Sequence, residues 1–236
     1  NKQVWSMRGW DPNVSVNEIV QDYARFFFGP DLVNDVSSGI LDIEANWQGP
    51  LLSNNGVNTT FDQWAALEAQ NPGLADDWRW QYLLLRAYSD RYIRARLINE
   101  TNLRQQARAT LANALSLGAN NAMSSAEATF NLAATNPVRT DLRNRIEDLC
   151  VDLFASIHYQ SSVNAPYLAS GLERSCILDL IDWPVNDRYH YEYVFANVIA
   201  PLATENEKLD AIGTLLKWED PGPAGHYDDL GNAAKQ

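Results

Sequence analysis

The densest group of reactive side chains in this sequence lies near its C-terminus. His226, Tyr227, Asp228 and Asp229 are consecutive, in a stretch rich in proline and glycine. A histidine beside carboxylates can act as a general base, and two carboxylates can hold Ca²⁺. Because the spacing lacks the alternating ligands of an EF-hand loop, a solvated loop ordered by turns is the simpler interpretation. The sequence therefore predicts no catalytic residue, no metal site and no cofactor.

Two pairs of carboxylates have the spacing of a candidate acid and base. These are Asp42 with Glu44 and Asp179 with Asp182. Glycoside hydrolases place two carboxyl groups about 5 to 10 Å apart across the bond that they cleave. A chain with 30 acidic residues produces such pairs by chance, so we predict neither pair to be catalytic.

Aromatic residues carry more information than the charged groups. The chain contains eight tryptophans and ten tyrosines. Sugar rings stack their C–H faces on aromatic planes, while amides and carboxylates bind the hydroxyl groups. The loop that follows residue 45 mixes both kinds of side chain, and the C-terminal loop offers a second such mixture. We therefore predict a sugar-binding set that consists of Asn46, Trp47, Asn54, Asn55, His226, Tyr227 and Asp228.

Four other tryptophans have structural interpretations. Trp78 and Trp80 lie in a segment that is apolar on most of a helix circumference, which favours a place in the core for both. Trp5 and Trp10 lie close to the N-terminus of the chain. For these two we expect packing against a preceding domain of the same polypeptide.

Composition excludes several classes of partner. The 236 residues include 30 acidic and 18 basic ones, and the resulting net charge of −12 repels phosphate backbones and anionic membranes. We therefore expect no nucleic acid partner. Apolar runs such as residues 82–85 are far shorter than the roughly 18 residues of a membrane-spanning helix, so we predict no membrane span. Cys150 and Cys176 are interpreted as buried thiols, with one disulfide as the alternative.

Helix start and stop signals recur along the chain. Ser15 and Glu18 have the spacing of a capping box, which predicts a helix that ends at Gly29. Thr60 is predicted to cap a later helix that ends near Ala69. Further helices are expected from about Ser124, Asp141, Asn186 and Asn206, each of which precedes an apolar periodicity.

The longest predicted helix extends from about Asp76 to Leu117. Its first half is strongly apolar and is expected in the core, whereas residues 100–108 are polar and are expected to be exposed. Alternation with the period of two that is typical of strands does not occur in the sequence. We therefore predict an all-α fold: an irregular bundle of about eight to nine helices, with one long central helix and an irregular C-terminal loop.

The predicted domain organisation is one all-α domain, residues 1–236. We interpret it as a fragment of a larger multidomain protein, in which residues 1–14 and 219–236 act as linkers to other domains. These domains of the same polypeptide are the predicted partners, together with carbohydrate.

Two stretches of the chain carry a family resemblance. Residues 10–29, with Tyr23-Ala24-Arg25 and Gly29, resemble the start of the helical domain that follows the catalytic barrel in several bacterial glycoside hydrolases. The likeness is to β-hexosaminidase-like and α-N-acetylglucosaminidase-like proteins. Residues 218–231 resemble the end of the same kind of module in secreted bacterial proteins. The resemblance covers the two ends of the chain alone.

The resemblance implies an accessory helical domain of a secreted carbohydrate-active enzyme. In such families the catalytic carboxylates lie on the barrel, so the isolated chain is not expected to hydrolyse a substrate. An extracellular or periplasmic location is implied as well. Two alternatives stay open: a stand-alone glycan-binding or structural interaction module, and a self-contained helical glycosidase or lyase.

Overall fold

The computed structural model describes residues 2–164, 166–167, 177–185 and 187–219. In these residues the chain forms eleven α-helices and no strand, which confirms the predicted all-α fold. Nine of the helices have seven residues or more. In chain order the helices are α1 (Lys2–Trp10), α2 (Val16–Phe28), α3 (Val33–Ala45), α4 (Gly56–Gln70), α5 (Trp78–Ala112), α6 (Ala114–Leu117), α7 (Ala119–Thr135), α8 (Thr140–Ile157), α9 (Ile177–Leu180), α10 (Arg188–Val194) and α11 (Glu205–Leu215).

Local sequence explains where several helices begin. At α2, the Ser15 hydroxyl accepts from the Glu18 amide at 3.1 Å, and the Glu18 carboxylate accepts from the Ser15 amide at 3.1 Å. Thr204 and Glu207 form the same reciprocal pair at the start of α11. Each capping box satisfies backbone amides that have no partner within the helix. The capping box predicted at Ser15 is therefore confirmed.

Three predicted boundaries are wrong. Thr60 does not cap α4, which begins four residues earlier at Gly56; its hydroxyl instead donates to the buried Asn46 side chain at 3.2 Å. α7 begins at Ala119 rather than near Ser124, directly after Gly118, whose φ of 83° favours glycine. The long helix α5 ends at Ala112, and the residues up to 117 form the separate α6.

The chain divides into two compact units, each with its own core. Unit 1 comprises residues 1–48, 54–91 and 145–176. In it, Gly39 of α3 lies so close to α4 that a Cβ atom would approach the Trp64 ring to 2.9 Å. The Trp64 indole nitrogen donates to the Gly39 carbonyl at 3.2 Å, and its ring packs edge-on against Trp80 with 5.5 Å between centroids. Buried positions of α8 complete this core: Ile146, Leu149, Cys150 and Leu153.

Unit 2 comprises residues 49–53, 92–144 and 177–236. Its core joins α7 to α10, to the π-helical turn Phe195–Ile199 that continues α10, and to α11. The Phe130 and Tyr191 rings lie at its centre, 5.2 Å apart. Smaller buried side chains surround them: Ala107, Leu111, Ala114, Ala119, Ala122, Met123, Ala126, Phe195, Ile199, Ile212 and Leu215.

The second half of α5 is only partly exposed, whereas exposure was predicted for residues 100–108. Asn102, Gln105 and Gln106 are exposed, but Glu100, Leu103 and Ala107 are buried. Glu100 is 3% exposed, and its carboxylate accepts from the Val185 amide at 3.0 Å. Arg104 donates to the Asp187 carboxylate at 2.7 Å. Glu100 can be buried here because Arg96, four residues earlier, pairs with its charge and the distant Val185 amide completes its hydrogen bonds.

Two tryptophan predictions have different outcomes. Trp80 is buried, as predicted. Trp78 is exposed, and the Arg79 guanidinium lies over its ring at 4.2 Å from the centroid, so the prediction of a core position for Trp78 is wrong.

The first helix was not predicted. α1 lies in the stretch 1–14 for which a linker is predicted, and eight of its nine residues are exposed. The linker role of this stretch, the single-domain organisation and the fragment status remain predictions.

Candidate functional site

Three of the residues predicted to bind sugar lie together around one buried carboxylate, in unit 1. Asp90, on α5, accepts from the Asn46 amide at 3.0 Å and from the Trp47 indole nitrogen at 3.0 Å. The Arg86 guanidinium donates to the same carboxylate at 3.1 Å. Asn54 closes the group, because its amide donates to the Asn46 carbonyl oxygen at 3.0 Å. We refer to this group as the Asp90 cluster.

Burial raises the pKa of the Asp90 carboxyl above its ordinary value of 3.8. The positive charge of Arg86 and the hydrogen bonds from Asn46, Trp47 and Arg86 act in the opposite direction and favour the ionised form. Desolvation is the largest cause, since only 1% of the Asp90 side chain is exposed. The cluster thus stabilises a buried charge with one cation and two neutral donors.

Little hydrogen-bonding capacity is left in this cluster for a ligand. The Asn46 side chain donates to Asp90 and accepts from Thr60, and Asn46 is buried. The Arg86 guanidinium lies 5.0 Å from the centre of the Trp47 ring, which is half-buried. Asn55 is exposed, and its carbonyl oxygen accepts from the Asn58 amide at 3.0 Å. The arrangement fixes the loop onto α5.

A second polar group lines a cavity of about 240 Å³ in unit 2. The second half of α5, the end of α7 with the turn after it, and the segment after α9 form its walls. Asp182 lies at this cavity and accepts from the Tyr92 hydroxyl at 2.9 Å and from the Arg143 guanidinium at 2.7 Å. About half of the Asp182 side chain, 51%, is exposed.

Tyr92 stays protonated over the whole physiological range. Burial is the largest cause that raises the pKa of the Tyr92 hydroxyl to about 12, and the charge of the Asp182 carboxylate and the hydrogen bond to it contribute to this rise. A neutral phenol is a hydrogen-bond donor, so Tyr92 and Arg143 together hold the Asp182 carboxylate in one orientation.

A buried ion pair forms the floor of the same cavity. The Arg96 guanidinium donates to the Glu100 carboxylate at 2.6 Å and to the Trp183 carbonyl oxygen at 2.7 Å, and it also donates to the Ile181 carbonyl oxygen. Both oxygens of Glu100 have donors, since the Val185 amide occupies the second. This pair is satisfied internally and links α5 to the segment after α9.

A third feature is the high exposure of three large aromatic side chains in unit 1. Trp5 and Trp10 of α1 are 85% and 91% exposed, and Phe26 of α2 is 81% exposed. Exposed large apolar side chains are candidates for contact with a partner.

The other residues considered in the sequence analysis fall into two groups: members of the predicted sugar-binding set, and a pair of carboxylates that was not predicted to be catalytic. His226, Tyr227 and Asp228 lie outside the described residues, so their predicted role in sugar binding stays a prediction. Asp42 and Glu44 are exposed on α3.

Sequence reasoning missed Asp90 and Tyr92 as members of these groups. A spacing signal existed for Asp90, because Arg86 precedes it by four residues on one helix face. No comparable local signal existed for Tyr92, whose partner Asp182 lies 90 residues away.

Over the described residues, no group of three or more His, Cys, Asp or Glu side chains could hold a metal ion. None of the helices in the described ranges is long and apolar enough to cross a membrane. The chain has no match among protein-family models, curated protein sequences or solved structures.

Proposed function

We propose that this chain is an accessory helical module of a secreted bacterial carbohydrate-active enzyme, which packs beside a catalytic barrel and contributes contacts to the sugar. The observation that carries the proposal is the high exposure of three large aromatic side chains, Trp5 and Trp10 of α1 and Phe26 of α2. The resemblance described above includes residues 10–29, and α2 lies within that stretch.

The exposed rings favour a protein partner over solvent. Tryptophan is among the residues that contribute most to protein interfaces, where its ring fills a pocket of the partner. α1 buries little surface of its own, since none of its described residues is buried and Val4 alone is of intermediate exposure. A helix with this composition gains stability when a second surface covers it.

The charges of α1 favour one kind of partner. The described residues of α1 include the two basic side chains Lys2 and Arg8 and no acidic one, although the whole chain carries a net charge of −12. A partner with an apolar centre and an acidic rim is therefore complementary to this face, whereas a second copy of the acidic chain is repelled over long range. A separate domain of the same polypeptide is the partner that the resemblance implies.

The test begins with the coding sequence on either side of this chain. We expect it to encode a barrel with alternating strands and helices, and this region is then expressed separately and titrated with the chain by calorimetry. Trp5→Ala combined with Trp10→Ala should weaken the association at least about 30-fold, the equivalent of about 2 kcal/mol. A matched control is Tyr189→Ala combined with Tyr193→Ala, which removes two exposed aromatic rings from unit 2.

Two results would overturn the proposal. One is a natural coding sequence without a catalytic barrel next to this chain. The other is an equal effect of the tryptophan and the tyrosine double variants on the association. Release of products from a glycan panel by the isolated chain would instead favour the self-contained glycosidase or lyase.

A further inference from the structure

Of the groups described above, the cavity in unit 2 retains hydrogen-bonding capacity that the protein does not use. Glu100 and Arg96 are satisfied by each other and by backbone groups. Asp182 has donors on both oxygens, yet its exposed carboxylate has lone pairs left for further donors. The side-chain amide of Asn99 lines the cavity and makes no hydrogen bond within the described part of the chain.

The charges around the cavity are balanced. Arg96 is paired with Glu100, and Arg143 is paired with Asp182. Tyr92 is neutral, as its raised pKa of about 12 implies. A ligand that carries a charge would have to displace or desolvate one of these pairs, whereas a neutral ligand with hydroxyl groups can add to them.

The other wall of the cavity is apolar. Ala133 and Ala134 of α7, with Pro137 and Val138 after it, present small hydrocarbon side chains. A sugar ring has this same division, with hydroxyl groups at its edge and C–H bonds on its faces. The volume of about 240 Å³ is below the roughly 300–1,000 Å³ of pockets for larger ligands, so it suits one sugar residue.

We propose that this cavity binds one neutral sugar residue, with its hydroxyl groups on Asn99 and Asp182 and a C–H face on Ala133 and Pro137. Nothing in the sequence patterns placed a sugar contact here, since the predicted contacts were at Trp47 and in the C-terminal loop. The class of ligand in this proposal rests on the proposed carbohydrate function, and the place of binding rests on the cavity itself.

The experiment is an NMR titration of the isotope-labelled chain with the methyl glycosides of glucose, galactose and mannose. We expect saturable shifts of the Asn99 side-chain amide with at least one of them. The methyl glycoside of glucuronic acid serves as the charged comparison, and it should bind more weakly because the Asp182 carboxylate repels an anion.

Two variants test the place of binding, each with a control on the same helix. Asn99→Ala should weaken binding about tenfold, while Asn102→Ala, exposed three residues further along α5, should not change it. Ala133→Leu should abolish binding because the larger side chain fills the cavity. Ala128→Leu, at an exposed position of α7, should leave binding unchanged.

Failure of this proposal is distinguishable from failure of the proposed function. No saturable binding of any neutral glycoside, binding that survives Ala133→Leu, or tighter binding of the glucuronide would each overturn the sugar site. Binding with the expected variant pattern, but no association with a barrel, would support the site while favouring a stand-alone glycan-binding module. Association with a barrel but no cavity binding would leave the accessory module in place without this site.

Discussion

Asp90 in unit 1 and Asp182 in unit 2 receive hydrogen bonds from the same kinds of donor. Each carboxylate accepts from one arginine Nε, of Arg86 and of Arg143 respectively. Each also accepts from one aromatic side chain, the Trp47 indole for Asp90 and a tyrosine hydroxyl for Asp182. The two sites differ in exposure: 1% of the Asp90 side chain is exposed, against 51% for Asp182.

This difference separates a structural carboxylate from one with capacity for a ligand. At Asp90, a third donor from Asn46 and nearly complete burial leave no room for another group. At Asp182, about half of the side chain is open to solvent, and a ligand hydroxyl can replace solvent there at small cost. Identical chemical groups thus have different roles because their burial differs.

Removal of each carboxylate should give the largest difference between the two sites in the free energy of unfolding. Asp90→Ala leaves the Asn46 amide and the Trp47 indole nitrogen buried without an acceptor, and the free energy of unfolding should fall by about 3 kcal/mol. Asp182→Ala removes a partly exposed ion pair, and the fall should stay below about 1 kcal/mol. Urea unfolding followed by circular dichroism measures both. Equal losses would contradict the division into a structural and a ligand-accessible carboxylate.

Removal of the aromatic hydrogen-bond donor at each site should give a smaller difference in the free energy of unfolding. Trp47→Phe deletes the indole N–H, and the buried Asp90 oxygen loses one of its donors, so we expect a loss of about 1 kcal/mol. Tyr92→Phe deletes a hydroxyl whose acceptor, the Asp182 carboxylate, can bind water instead. We expect the free energy of unfolding to fall by about 0 to 0.5 kcal/mol. The same unfolding measurements apply. A larger loss for Tyr92→Phe than for Trp47→Phe would show that water does not reach Asp182.

The pH dependence of stability should give the smallest effect, since the donors around Asp90 offset much of its desolvation. The pKa of Asp90 is raised in the folded protein, so the folded state binds a proton more readily than the unfolded state. Its contribution to stability is therefore fully present below the ordinary value of 3.8 and is lost as the pH rises through the raised folded value. Relative to Asp90→Asn, the natural protein should lose stability over that window.

Asp141 provides a control of opposite sign. Its hydrogen bonds with Arg139 lower the pKa of its carboxyl below 3.8, so its contribution is present above 3.8 and is lost as the pH falls. Relative to the natural protein, and with rising pH, the unfolding midpoint of Asp141→Asn should fall in the window below 3.8, whereas that of Asp90→Asn should rise in the window above it. The same direction for both would contradict the assignment of Asp90.

Part of the Asp90 cluster was predictable and part was not. Asn46, Trp47 and Asn54 were singled out because they combine an aromatic ring with amides near a loop, and the structure does bring them together. Asp90, which accepts hydrogen bonds from Asn46 and Trp47, lies 44 positions after Asn46 in the sequence. Sequence spacing carries no information about a contact over such a separation, so the cluster could be read as a sugar site but not as a structural one.

The sequence by itself determined the all-α class, the capping box at Ser15 and the length of the apolar first half of α5. These depend on interactions within a few residues, which periodicity and capping patterns report directly. Tertiary structure alone decided that Glu100 and Arg104 face inward and that Trp78 faces outward. The physical reason is that a polar side chain can be buried once all of its groups have partners. Val185 and Asp187, more than 80 residues away, complete the hydrogen bonds of Glu100 and Arg104.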